Sequence, residues 1–281
     1  MNNDVLHFQP DDVSPMYGVT LGWVATPGDA AVGQDLRVEL TGHGFETSDS
    51  RTGVVAPAVY WDYLGIDGTG YKDDVPSPGT SRSFDLESRY RYFDVGALVR
   101  TDIPLSVLDA VLTPSVGLQI HRLREHTSMA FVSDGSRWNR IREDVETWYG
   151  GGTLGAQLAV PILPGLSLHA GGTAWLSYVN SDYEGRQSFL SVPGRASEFD
   201  ELQDFAFRGT GSAGVTASHG PFSLSVTGGI AFWDRAPRVR HPEANPIGAM
   251  YNSITQTDPA ELTFSEMTNY FAGVTLSVRL P

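Results

Sequence analysis

The sequence predicts an all-β fold: an antiparallel, up-and-down transmembrane β-barrel of about ten strands, with eight or twelve as the neighbouring counts. Three observations predict it. Apolar and polar residues alternate with period two, short and long connections alternate along the chain, and aromatic residues bound the apolar stretches.

The C-terminal segment Phe271–Leu280 shows the alternation most clearly. Ala272, Val274, Leu276, Val278 and Leu280 share one face, and Phe271, Gly273, Thr275, Ser277 and Arg279 share the other. Successive strand residues point to opposite faces, so this strand has an apolar side and a small or polar side. A soluble sandwich alternates because one sheet face meets the core. A barrel in a bilayer alternates because its apolar face meets lipid and its polar face lines the lumen.

Residues 1–15 lack periodicity and carry Asp4, Asp11 and Asp12, which reads as a tail ahead of a barrel over 16–281. The first strand is Tyr17–Val24, closed by a turn at Pro27-Gly28-Asp29. Leu36, Val38 and Leu40 mark a second strand, and Val54–Leu64 a third, less regular one; residues 65–85, rich in Gly, Asp, Pro and Ser, read as a long loop. Three hairpins follow. One passes through Phe93–Val99, a connection near Pro104, and Leu112–Ile120. The second joins Trp148–Val160 to Leu166–Tyr178 through Pro161–Gly165, and the third joins Phe205–Ser218 to Phe222–Trp233 through His219–Pro221. Between them, the polar segments 122–146, 181–203 and 234–263 read as long loops. Threading from one side gives a bilayer barrel this asymmetry of turns and loops, whereas Greek-key sandwiches mix connection lengths.

Length agrees. Phe222 and Phe232 lie on one face ten residues apart, which at ~3.3 Å per residue and a tilt near 45° spans roughly 23 Å, close to a barrel's apolar band. Tyr17, Trp23, Trp148, Tyr178, Phe205 and Phe207 also sit near strand ends, so these eight aromatics predict two interfacial girdles.

Composition sets further bounds. The 281 residues include no cysteine, so disulfide and thiolate chemistry are out of reach. No run of about eighteen apolar residues occurs, so no spanning helix is predicted. The start, Met1-Asn-Asn-Asp-Val5, shows neither basic nor apolar leader features and reads as a mature form. A net charge of −14 argues against nucleic acid as a partner.

At this point the chain resembles bacterial outer-membrane β-barrel proteins, in pattern rather than by subfamily motif. The last strand is similar to their assembly signal at Gly273, Leu276, Val278 and Leu280, although it ends Leu280-Pro281 where that family usually ends on an aromatic residue. The resemblance implies an outer-membrane location and a porin-like barrel inserted by the barrel-assembly machinery. It also implies contact with membrane lipid and lipopolysaccharide, short turns in the periplasm, the 1–15 tail there too if the strand count is even, and long loops outside.

With this phase Arg37, Glu39, Asp62, Asp94, Arg100, His121, His169, Arg208 and Arg279 face the lumen. Charges in a narrow interior must pair or stay wet, so they predict a salt-bridged plug or a narrow selective pore. As possible catalytic residues, His43, His126 with Ser128, and His241 lie near predicted outer rims, but their spacing fits no acyl-transfer motif and no catalytic residue is assigned. Metal-ligand spacing is absent, and no cofactor is expected. Arg137-Trp-Asn-Arg-Ile-Arg142 suits phosphate contacts at the rim. The expected function is a narrow small-solute channel or a closed structural or surface-interaction barrel. An outer-membrane lipid- or peptide-hydrolysing enzyme and a soluble secreted β-sandwich are the alternatives.

Overall fold

A computed structural model describes residues 17–25, 36–55, 62–64, 66, 70–72, 82–133, 136–189, 195–241 and 258–278. The 1–15 tail, Arg279 and Leu280 lie outside them. The described residues are all-β and antiparallel. One sheet contains β1 (Tyr17–Ala25), β2 (Leu36–Val55), β5 (Arg82–Thr101), β6 (Ile103–Pro104), β7 (Val111–Ser133), β8 (Ser136–Leu163), β9 (Leu166–Phe189), β10 (Arg195–His219), β11 (Phe222–Arg240) and β12 (Glu261–Val278). Each long strand pairs with its sequence neighbour in the sheet; the two-residue β6 continues the β5 arm past Asp102 and pairs with β7. A separate hairpin, β3 (Asp62–Leu64) with β4 (Gly70–Lys72), lies in the β2–β5 connection.

The sheet is rolled. β7 and β11 are four strands apart in the sheet order, yet the rings of His121 and Trp233 lie 6.2 Å centroid to centroid. Arg208 of β10 reaches the Tyr92 hydroxyl of β5, and Tyr149 of β8 donates to the carbonyl of Arg235 on β11. Such contacts require the face carrying these residues to be concave. Among the described residues, the end strands β1 and β12 are not hydrogen-bonded to each other.

The apolar face is the outer one. Leu118 is 71% exposed and Val274 70%, whereas His121 is 2% and Asp94 6% exposed on the concave side. The outward apolar runs, such as Trp148–Val160 on β8 and Phe222–Phe232 on β11, end sharply. Across the strands, Gly42, Val95, Ile120, Gly150, Tyr178 and Phe205 form one row. Two rows further from the short turns stand Glu46, Arg91, Arg124, Glu146, Asp182 and Glu201, every one charged.

Several segments depart from the sequence reading. Residues 122–133, 136–146, 181–189 and 195–203 are strand, not loop, and extend β7–β10 well past the apolar band. β8 alone has 28 residues, ~90 Å at ~3.3 Å each. These extensions are polar outside and carry a second small core inside, so no period-two hydrophobic signal marks them. Val54 and Val55 end β2 instead of starting a new strand, and Asp62 belongs to the β3–β4 hairpin, in register with Lys72, outside the main sheet. The expected loop 234–263 likewise contains the end of β11 and the start of β12.

Candidate functional site

The concave face changes character along its length. Toward the short turns small and hydroxylic residues, Thr41, Gly96, Thr153, Gly171, Thr210, Gly214 and Thr227, share the face with a few large ones, Arg37, Glu39, Arg100, His169 and Phe271. A bulky layer crosses the interior above them. Tyr92, Tyr149, Val179, Ala206 and Trp233 form a buried cluster, with Phe45, Phe264 and Met267 packed against it. Their inward placement follows from strand parity: Tyr92 shares a face with Asp94, Tyr149 with Thr153, Trp175 with Ser177 and Trp233 with Ala231.

Within this layer the polar groups contact one another and the indole rings. The Arg208 guanidinium carbon lies 4.1 Å from the Trp233 ring centroid and 4.7 Å from that of Trp175, and Nη1 donates to the Tyr92 hydroxyl at 3.2 Å. A desolvated cation over an indole face is stabilised by about 2 kcal/mol or more. Asp94 accepts from the Tyr92 hydroxyl at 3.0 Å, and its other oxygen lies 2.9 Å from His43 Nδ1. His121 Nδ1 is 2.9 Å from the Tyr92 oxygen and 3.9 Å from Asp94. Gln119 accepts from the Trp175 indole beside it. The side chains of Arg208, Tyr92, Asp94, His43 and His121 thus form one connected polar group, walled by two tryptophans.

The remaining inward residues sit in three further places. Arg100 and Glu39 form an ion pair at 3.2 Å, and Arg37 binds Asp102, which also accepts from Thr113 at 2.7 Å. His169 lies lower, its ring nitrogens 3.0 Å from the Thr227 hydroxyl and 3.2 Å from that of Thr216. Sequence reasoning missed His43, Tyr92, Trp175 and Trp233 as members of the layer. For two of them a signal was available: Trp175 interrupts the inward series Gly171, Thr173 and Ser177, and Trp233 follows Thr227, Gly229 and Ala231, whereas His43 lies between Thr41 and Phe45 and Tyr92 between Tyr90 and Asp94.

The end of the sheet away from the short turns holds a second buried cluster. Ile66, Val145, Tyr183, Ala260 and Leu262 form a buried apolar cluster. The Ile66 amide donates to Gln187 Oε1 at 2.9 Å, and the Ala260 amide donates to the Ile66 carbonyl at 2.6 Å. Both long connections therefore put a residue inside the strand extensions. Beside this cluster, Glu143 accepts from the Tyr183 hydroxyl at 2.8 Å and lies equally close to His241. That hydrogen bond raises the His241 pKa against the opposing effect of burial, while burial foremost raises that of Tyr183.

The histidines considered for catalysis are in three separate environments: His43 inside against Asp94, His126 outside against Asp144 at 3.0 Å, and His241 beside the second cluster against Glu143. Among the described residues, no group of three or more His, Cys, Asp or Glu side chains is arranged to hold a metal ion. The outward aromatics Tyr17, Trp23, Trp148, Tyr178, Phe205, Phe207 and Phe222 are exposed, and Tyr178 and Phe205 meet edge to face at 5.9 Å. Phe232 stands on the same face, opposite Gly209 and Thr268. Gly273, Leu276 and Val278 lie on β12, opposite Thr227, Leu224 and Phe222. Compared with known protein families, with curated proteins and with solved structures, the chain matches none.

Proposed function

We propose that this chain is an integral β-barrel of a bacterial outer membrane, closed along its axis, whose working surface is the strand extension outside the bilayer. One observation carries the reading: over the apolar band polarity is inverted, with Leu118, Val226, Val274 and Leu276 exposed on the outer face and Thr41, Asp94, His121, Thr153 and His169 buried on the inner one. In water, such an outer surface of Leu118, Val226, Val274 and Leu276 is costly, and contiguous apolar patches of this kind mark membrane or partner contact. In hydrocarbon the same surface is at rest, and its aromatic borders sit where headgroups begin. The charged row from Glu46 to Glu201 supports the border's position.

Two layers support closure. The Arg208–Trp233 layer fills the middle of the interior, and the Ile66–Tyr183 cluster fills the mouth. What remains for function is the outward, polar surface of β7–β10 beyond the band, facing lipopolysaccharide and the environment. Insertion by the barrel-assembly machinery belongs to the same reading, through the β12 pattern. A narrow small-solute channel is the second reading, favoured by the small hydroxylic lining on the turn side of the layer.

The protein should require detergent or lipid and shift its mobility on SDS gels when boiled. In planar bilayers it should pass little or no steady current. A detergent-free monomer indifferent to boiling would end the membrane reading. Large steady single-channel currents would leave the barrel standing and replace closure by the channel.

A further inference from the structure

Outside the rolled sheet, a groove of about 500 Å³ lies where the apolar band gives way to charge. Tyr17, Gly44 and Phe93 lie along its apolar side, and Arg91, Arg122 and Arg124, with the carboxylate of Glu46, supply its charged wall. Gly44 adds no side chain to the outer face, which leaves space in that row. From the register, Arg91 stands directly opposite Arg124, and Arg122 directly opposite Phe93.

Two like charges directly opposite on an exposed sheet face destabilise each other unless an anion lies between or beside them. The acids on hand are divided. Glu46 serves both Arg91 at 3.1 Å and Arg89 at 3.7 Å, and Asp144 serves both Arg124 at 3.6 Å and His126. Glu146 stands directly opposite Arg124, but its oxygens are engaged by Arg122 through two contacts of 3.0 Å and by the Trp148 indole at 2.8 Å; Arg122 also covers the Trp148 ring at 5.0 Å. Arg91 and Arg124 remain about half exposed, each with guanidinium donors to spare. Guanidinium pairs of this spacing suit the several oxygens of a phosphate. Below the groove the surface continues without a charge through Val95, Ala97, Leu118 and Ile120.

We infer that this groove binds the phosphate-bearing headgroup of an anionic membrane lipid, with the phosphate on Arg91 and Arg124 and the acyl chains laid over Val95, Leu118 and Ile120. The inference rests on the membrane reading above. The apolar continuation selects a lipid-borne phosphate over a free one, because a free anion would gain nothing from it.

The test uses the full chain inserted in vesicles of phosphatidylcholine containing a minority of phosphatidic acid. Flotation of the vesicles with the protein, resistant to carbonate extraction, first establishes insertion. Native mass spectrometry then reads the lipids retained. The wild type should retain phosphatidic acid several-fold over its share of the vesicle, and R91Q/R124Q should lose that enrichment. R91K/R124K, which keeps both charges, should recover part of it, and Arg235→Gln, on another part of the surface, should leave it unchanged. Boiling shifts on SDS gels identify any variant that has not folded. Failure to float overturns the membrane reading and the site with it. Flotation with equal enrichment in wild type and R91Q/R124Q overturns the site alone. Loss of enrichment on adding inorganic phosphate at modest excess would show a free-anion site and overturn the lipid assignment.

Discussion

His241 Nε2 lies 2.8 and 3.0 Å from the two carboxylate oxygens of Glu143, so the residue that follows β11 is held against the inner face of β8. The hydrogen bond and the charge of Glu143 raise the His241 pKa above its ordinary 6.5. A raised histidine contributes stability that is complete below the unfolded value and is lost as pH rises through the higher folded value. His241 is half exposed, so screening limits the contribution to about 0.5 kcal/mol. Protection factors for amide exchange in the β8 and β9 extensions, taken relative to the intrinsic base-catalysed rate at each pH, should therefore fall between pH 6 and pH 8, and His241→Gln should remove that fall. A profile that His241→Gln leaves unaltered would refute the assignment.

Arg208 sets a second expectation. Replacing it with Ala removes the cation from two indole faces and a donor from Tyr92, at a cost of about 2 kcal/mol or more. It also opens the layer at its centre. Thermal melting of the folded band on gels should fall, and small currents should appear in planar bilayers where the wild type gives none. Unchanged melting together with unchanged conductance would show that Arg208 is not the keystone of the layer.

The phase of the outer face is testable at single positions. Val226→Arg or Leu276→Arg places a charge among Val215, Leu224 and Val274 on the exposed apolar surface. At the middle of a bilayer that costs about 2–4 kcal/mol. Thr227→Ser, one residue away on the concave side, should be close to silent. Folding yields into vesicles would distinguish the pair. Equal yields for Val226→Arg and Thr227→Ser would mean that Val226 does not meet lipid.

The mouth closure predicts its own variants. Gln187→Ala leaves the buried Ile66 amide without its acceptor, at about 1–3 kcal/mol. Ile66→Ala empties part of the apolar cluster, at about 2–5 kcal/mol. Both should raise protease cleavage in the β2–β5 and β11–β12 connections while the boiling shift on gels stays intact. Resistance equal to wild type would place the two connections outside the closure.

The sequence carried the main sheet because its lining alternates: Thr275 and Ser277 against Val274 and Leu276 announce both the strand and its phase. Arg37, Glu39, Asp94, Arg100, His121, His169 and Arg208 follow from that parity alone. The extensions were not legible, because residues such as Glu125, His126, Thr127 and Ser128 are polar on both faces. Their strand character comes from pairing across the sheet, for example Tyr90 donating to Glu125 at 2.8 Å, and pairing has no period in one sequence. The bulky layer was half visible. Asp94 and Arg208 were named, but the aromatics that set their environment were sought at the strand ends, where lipid headgroups favour them. Trp175 and Trp233 occupy the opposite face for a different reason, since they shield a cation from solvent.

The two unjoined edges of the sheet carry a mechanical consequence. Nine long strands alternate in direction from β1 to β12, so the first and the last run the same way. In hydrocarbon neither edge can keep its peptide groups unpaired. A direct join would be a parallel ladder between antiparallel neighbours, with slanted bonds and less stability per residue. Amide exchange should then be fastest along β1 and β12, and a tether across that join should slow it. On the proposed membrane reading, lateral tension in a bilayer would part the wall first along this line.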